Sequence, residues 1–353
     1  MRKMIRLMSV QERIKLALSS HQMANLVELA RIGASRHYVS VKGEKSYIQL
    51  EISGEDDNFV FFNERKDTVN VTGCELWRWF GRKRGNENIA LVYSRIETLF
   101  PSSNLILHFH LDKTKRLQNL LSHPSFKNWK TLIVEGEIIE AEDLTFILDM
   151  ARMDRSIVFH VKSMPSNFSH YKAFQFRDIE HHSAAWIQVE DLFVLRNSSS
   201  VTLSLNHFTN GHLNRFLRYW ANRDYCMFRQ LTIYMEDTSQ FLSNQVFENL
   251  NYLCYSSRPE YVILSTSSKN LEYPLAIISW IGSTFKVTTV PSDGECAREY
   301  RILNYLKKRK QLEDELKKND DYLLNSELIQ KLKKISREME QLNAHFINGN
   351  VFL

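Results

Sequence analysis

Residues 201–236 read VTLSLNHFTNGHLNRFLRYWANRDYCMFRQLTIYME. Val201, Leu203 and Leu205 alternate with Thr202, Ser204 and Asn206, the period of a half-buried strand. Thr209 or Asn210 can cap the helix that follows, where Leu213, Phe216, Leu217 and Trp220 share one face. Asn222 reads as a left-handed stop, and Leu231, Ile233 and Met235 alternate as a second strand. Strand, crossover helix and strand predict a βαβ unit with parallel strands and a right-handed connection.

Upstream, the same unit recurs. Leu105, Leu107 and Phe109 alternate, Leu117, Leu120 and Leu121 have helical spacing, and Leu132 and Val134 make the next strand. Leu144, Ile147, Leu148 and Ala151 give another helix face, followed by Ile157, Phe159 and Val161. Val189, Leu192 and Phe193 read as a helix leading into Val201. Downstream, a helix is expected with Val246, Leu250 and Leu253, then a strand over 261–264. The strand positions Leu107, Leu132, Ile157, Leu203, Ile233 and Ile263 lie 25, 25, 46, 30 and 30 residues apart. The long interval has room for a degenerate unit near Phe174 and Phe176. A period of this size predicts an α/β fold built as an αβ solenoid of leucine-rich-repeat type, with an ordinary open α/β sheet as the competing architecture.

The flanks differ. In residues 1–34, Ser9 and Glu12 form a capping box, and short apolar runs predict three small helices. Tyr38 to Val41, Tyr47 to Ile52 and Phe59 to Phe62, with polar turns between, predict a β-meander. A helix is expected over 86–98, with Ile89, Val92, Tyr93 and Ile96 on one face. A hairpin turning at Gly282 closes the repeat region, which spans 35–294. From 295 to 353 the composition shifts. Leu328, Leu332, Ile335, Met339, Leu342 and Phe346 form a two-per-heptad stripe, which predicts a C-terminal helical hairpin.

Composition sets limits on function. The 353 residues are 43% hydrophobic and 25% charged, as in a soluble globular chain, and a net charge of +5 does not mark a nucleic-acid binder. No apolar run reaches the ~18 residues of a membrane span. The scattered Cys74, Cys226, Cys254 and Cys296 suggest neither a disulfide framework nor a zinc cluster, and fit a reducing, cytoplasmic setting. Lys307 to Lys310 could serve as a nuclear localisation signal, but Glu313, Asp314 and Glu315 balance it on a solvated helix face. Arg82 to Arg84 and the neighbouring Trp77, Trp79 and Phe80 are open to a nucleic-acid reading, the weaker alternative. No nucleophile elbow, Walker loop, dinucleotide fingerprint or zinc-protease motif occurs. His108 and His110 share a strand face, yet no carboxylate or cysteine at ligand spacing accompanies them, so the pair reads as solvent-facing; His181-His182 takes the same reading. No enzyme and no cofactor is expected.

Met4 to Ile32 resembles the back two-thirds of the F-box in nematode F-box proteins, whose core motif falls here on Met8-Ser9-Val10-Gln11-Glu12-Arg13-Ile14-Lys15-Leu16-Ala17-Leu18-Ser19. Residues from Trp186 to Met235 resemble that family's type-2 F-box-associated domain. The family's F-box opens with a Leu-Pro and a first helix, so the resemblance implies one truncated at its N-terminal end. It further implies a non-catalytic recognition subunit whose N-terminal helices dock on the Skp-type adaptor of a cullin–RING ubiquitin ligase. The repeat region would then hold a protein target for ubiquitination and degradation. A sequestering module that has lost the ligase link is the alternative. The adaptor-binding candidates are Met4, Leu7, Met8, Ile14 and Leu18. Partner binding is expected on the sheet face opposite the helices, at His108, His110, Ile133, Glu135, His160, Ser204, Asn206, Tyr234 and Glu236.

Overall fold

The computed structural model describes residues 2–52, 58–61, 87–114, 117–166, 168–235, 240–255, 259–267, 271–318, 322–347 and 350–353. The chain divides into two units, residues 1–176 with 180–183, and residues 177–179 with 184–353.

The first unit begins with α1 (Arg2–Leu7), α2 (Val10–Ser19) and α3 (His21–Leu29). Ser9 caps α2: its hydroxyl accepts from the Glu12 amide, and the Glu12 carboxylate accepts from the Ser9 amide at 2.7 Å. Arg13 is buried and donates to the carbonyls of Ile5 and Arg6, satisfying acceptors that the short α1 leaves open. The inward stripe of α2 is Val10, Ile14 and Ala17, buried together with Ile5 and Val27.

β1 (Arg36–Val41), β2 (Tyr47–Glu51) and β3 (Asn58–Phe61) form the meander. The other edge of β1 pairs in parallel with β4 (Leu105–His110) after α4 (Glu87–Leu99), whose Ile89, Val92, Tyr93 and Ile96 are all buried. α5 (Leu117–Leu121), β5 (Trp129–Ile138), α6 (Ala141–Met150) and β6 (Ser156–Ser163) follow, and β4, β5 and β6 are parallel neighbours. Successive parallel strands are therefore laid down in chain order with no reversal. Every second side chain is committed to the core: Val39 and Val41, Leu105, Leu107 and Phe109, Leu132 and Val134, Ile157, Phe159 and Val161. The 46-residue interval holds a strand, β7 (Asp178–His181), a few residues beyond the position expected.

In the second unit, Val189–Val194 is a 3-10 turn rather than the expected helix. β8 (Ser198–Leu203), α7 (Asn210–Asn222) and β9 (Phe228–Tyr234) form the βαβ unit, with Val201 paired to Leu231 and Leu203 to Ile233. Thr209 is the cap, and Leu213, Phe216, Leu217 and Trp220 are buried. The helix does not stop in a left-handed turn at Asn222. Arg223 is extended, donates to the Trp220 carbonyl at 2.7 Å and lies over the Trp220 ring.

Beyond β9 the repeat expected from Ile233 to Ile263 is not followed. α8 (Ser243–Val246) is only four residues, too short to carry a parallel crossover. β10 (Tyr252–Cys254), β11 (Glu260–Leu264), β12 (Leu275–Ile281) and β13 (Thr284–Val290) are antiparallel in sequence, and it is β13 that pairs with β9. The hairpin turns at Gly282, whose φ of 59° suits a two-residue loop.

α9 (Ala297–Lys318) and α10 (Tyr322–Gln341) make the expected helical pair, but the chain then forms a hairpin, β14 (His345–Ile347) and β15 (Asn350–Phe352). β15 pairs in parallel with β10. Ile302, Leu303, Ile335, Met339, Ala344 and Val351 share a core with Leu253, Val262 and Leu275. Phe346 leaves the stripe because α10 has ended, and Arg309 lies over its ring instead. Among the described residues no helix is long and apolar enough to cross a membrane. The meander turn at 53–57, the 62–86 stretch with its Trp and basic residues, and Asp320-Asp321 lie outside the described residues.

An unpaired charge in such a core costs ~3–5 kcal/mol, and a unit of this size, melting by itself, loses about 2–4 °C per kcal/mol. Ile335→Asp is expected to lower the melting temperature by roughly 6 °C or more. Exposed Ile329→Asp on the same helix should shift it by no more than about 2 °C. In the first unit, burial lowers His37 to about 4 and His181 to about 3. Unfolding returns both to an ordinary imidazole, which binds protons below about 6.5. Their contribution is therefore complete above that pH and is lost as pH falls toward 4 and below. Chemical denaturation at stepped pH should show stability decreasing from pH 6.5 to 4, and less steeply in a His37→Gln variant.

Candidate functional site

The register that buries one face of the first unit's sheet sends the alternate side chains to the other. Ser40 pairs with His108, His108 with Ile133 and Ile133 with Val158; His110 pairs with Glu135 and Glu135 with His160. His108, His110, Ile133, Glu135 and His160 thus sit on one face as expected, joined by Tyr38 and Tyr47, whose rings stack at 5.8 Å. His160 Nε2 meets the Glu180 carboxylate at 3.0 Å.

Three of these side chains converge. Glu135 Oε2 lies 2.9 Å from His108 Nε2 and 3.4 Å from His110 Nδ1, and the two imidazoles stand 4.2 Å apart. His108 Nδ1 meets the Tyr38 hydroxyl at 2.5 Å. Burial, reinforced by His110, holds His108 down to about 4, and burial likewise lowers His110. Burial also raises the Tyr38 phenol, so Tyr38, His108 and Glu135 resemble a relay in outline while the hydroxyl at its head is kept protonated. The arrangement suits holding and presenting polar groups rather than nucleophilic attack.

The carboxylate missing from the sequence neighbourhood of His108 and His110 is supplied by Glu135, one strand away. Tyr38, Tyr47 and Glu180 were not among the candidates. The alternation of Tyr38 with Val39 carried a signal for Tyr38, but only the parallel pairing of β1 with β4 places it against His108.

In the second unit the expected residues behave differently. Ser204 lies just past β8, and its carbonyl accepts from the Ala184 amide. Asn206 is not on an open face: it is buried, donates to the Tyr234 carbonyl at 2.9 Å and accepts from the Phe208 amide. The alternation breaks because Leu205 adopts φ 46°, which turns the chain before Asn206. Tyr234 is 45% exposed at the end of β9. Glu236 lies outside the described residues.

Of the N-terminal candidates, Met4 is 69% and Leu7 88% exposed, and Met8 and Leu18 are half-buried. Ile14 is 1% exposed on the inward stripe of α2 and is unavailable to a partner.

Residues 164–233 match the model of a family described as F-box associated. The match covers β7, the 189–194 turn, β8, α7 and β9, and begins upstream of the Trp186 at which the resemblance starts in the sequence. The similarity to an F-box-associated domain is thus confined to residues 164–233, within a mixed α/β chain. No curated protein and no solved structure matches the chain.

The exposures separate surface from core at the N-terminus. Met4→Asp with Leu7→Asp is expected to leave the circular-dichroism melt within about 2 °C of wild type. Ile14→Asp should lower it by roughly 6 °C or more.

Proposed function

We propose that this chain is a non-catalytic substrate-recognition subunit of a Skp–cullin–F-box ubiquitin ligase. The F-box-associated match at 164–233 carries the reading. Residues 1–34 act as the adaptor-docking segment, residues 35–294 hold the target, and residues 295–353 brace the second unit. The strands β1, β4, β5 and β6, added in chain order, read as a short αβ solenoid of leucine-rich-repeat type, which offers one continuous face to a partner. Tyr38, His108, Glu135 and His160 contribute from that face; Tyr234 is a separate candidate contact on the second unit. Bringing the target to the ligase raises its effective concentration, so the function resides in two interfaces.

Support for adaptor docking comes from Met4 and Leu7, two large apolar side chains held out from a capped helical corner. Burying each is worth ~1.5–3 kcal/mol, and the pair amounts to about two to four orders of magnitude in affinity. The full chain should co-purify with a Skp-type adaptor, and Met4→Asp with Leu7→Asp should weaken that binding at least a hundredfold. No binding by the wild-type chain at high micromolar adaptor would replace ligase recruitment with sequestration. On the target side, Tyr234→Ala with Glu135→Lys should remove captured proteins that the folded wild-type chain retains. An unchanged capture profile would move the target surface elsewhere.

A further inference from the structure

We infer that His108, His110 and Glu135 form a binding site for a divalent first-row transition metal of the zinc type. Two imidazole nitrogens and one carboxylate oxygen are donors that Zn2+ accepts at about 2.0–2.2 Å, and donors on a tetrahedron of that size stand ~3.3 Å apart. Glu135 Oε2 is 2.9 Å from His108 Nε2 and 3.4 Å from His110 Nδ1. One donor atom from each of the three residues lies within 4.8 Å of the others. Two edges of the triangle are therefore close to the span an ion needs, and the third is no longer than 4.8 Å.

The support around these donors fits the same use. A ligating imidazole is commonly fixed through its other ring nitrogen. His108 has that partner in the Tyr38 hydroxyl, which can accept from Nδ1–H once Nε2 is given to the ion. The strand register makes the triangle rigid, because His108 and His110 leave the same face of β4 and Glu135 stands opposite His110 on β5. The imidazoles are largely covered, with side-chain exposures of 14% and 11%, while Glu135 at 45% leaves a path for the ion to enter. Three protein ligands leave a coordination position for water. The inference rests on this geometry alone and is independent of ligase recruitment.

The test uses the full chain, purified without a polyhistidine tag and stripped by chelator, and Zn2+ alone as probe. Competition with a chromophoric chelator should show one equivalent bound per chain, and Co2+ in its place should give the visible absorption of a low-symmetry site. Glu135→Gln and His110→Ala should each weaken binding at least tenfold. Tyr38→Phe, which removes only the supporting hydroxyl, should weaken it about tenfold. Zn2+ should raise the melting temperature of the wild-type chain and not that of Glu135→Gln, whose metal-free melt serves as the check on folding. The inference is overturned if the wild-type chain binds no stoichiometric Zn2+. It is equally overturned if one equivalent still binds with unchanged affinity when Glu135→Gln and His110→Ala are combined.

Discussion

The in-register parallel pairing of β4 with β5 is the constraint on which the first unit depends. Leu107 opposite Leu132 and Phe109 opposite Val134 place four buried side chains on one face. A slip of β5 by one residue would turn Leu132 and Val134 outward, so the register is held by burial. The same pairing sets His110 against Glu135 and brings His108 within reach of the same carboxylate. The polar cluster is thus a consequence of the core. It costs little to hold, because Tyr38 and Glu135 satisfy His108 on both ring nitrogens.

The second unit meets the same need by different means. Between β9 and β10 the helix among the described residues is the four-residue α8, and the hairpin of β12 and β13 supplies the strand beside β9. Its own apolar face is then covered by α9 and α10, whose Ile302, Leu303, Ile335 and Met339 complete a core with β10, β11 and β12. The parallel β15 ties the chain's last strand to β10. The terminal helices therefore belong to the fold of their unit.

Hydrophobic period made the elements legible, and neighbours less so. The strand–helix–strand order of residues 201–234, the apolar faces of α4, α6 and α7, and the capping box at Ser9 are all local patterns, and each forms where its spacing predicts. The placement of β13 beside β9 is a pairing over long sequence separation, which period does not encode. Asn206 shows a second limit: one left-handed residue, Leu205, ends the alternation that would have put it on an open face. Ile14 shows a third. It and Leu7 look alike as apolar residues of a short helix, and only packing separates the buried side chain from the exposed one. Glu135 joined the histidines for the same reason that β13 joined β9, through a neighbour distant in sequence.

The proposed function is recruitment rather than reaction, with one surface for the ligase and another for the target. Its most direct test is reconstituted ubiquitin transfer. The chain, bearing proteins captured from cells, is combined with purified Skp-type adaptor, cullin–RING core, ubiquitin and the conjugating enzymes. Ubiquitin chains should appear on the captured proteins and should depend on the adaptor being present. Captured proteins that remain unmodified, with or without adaptor, under conditions where the same core modifies the target of another F-box protein, would contradict it.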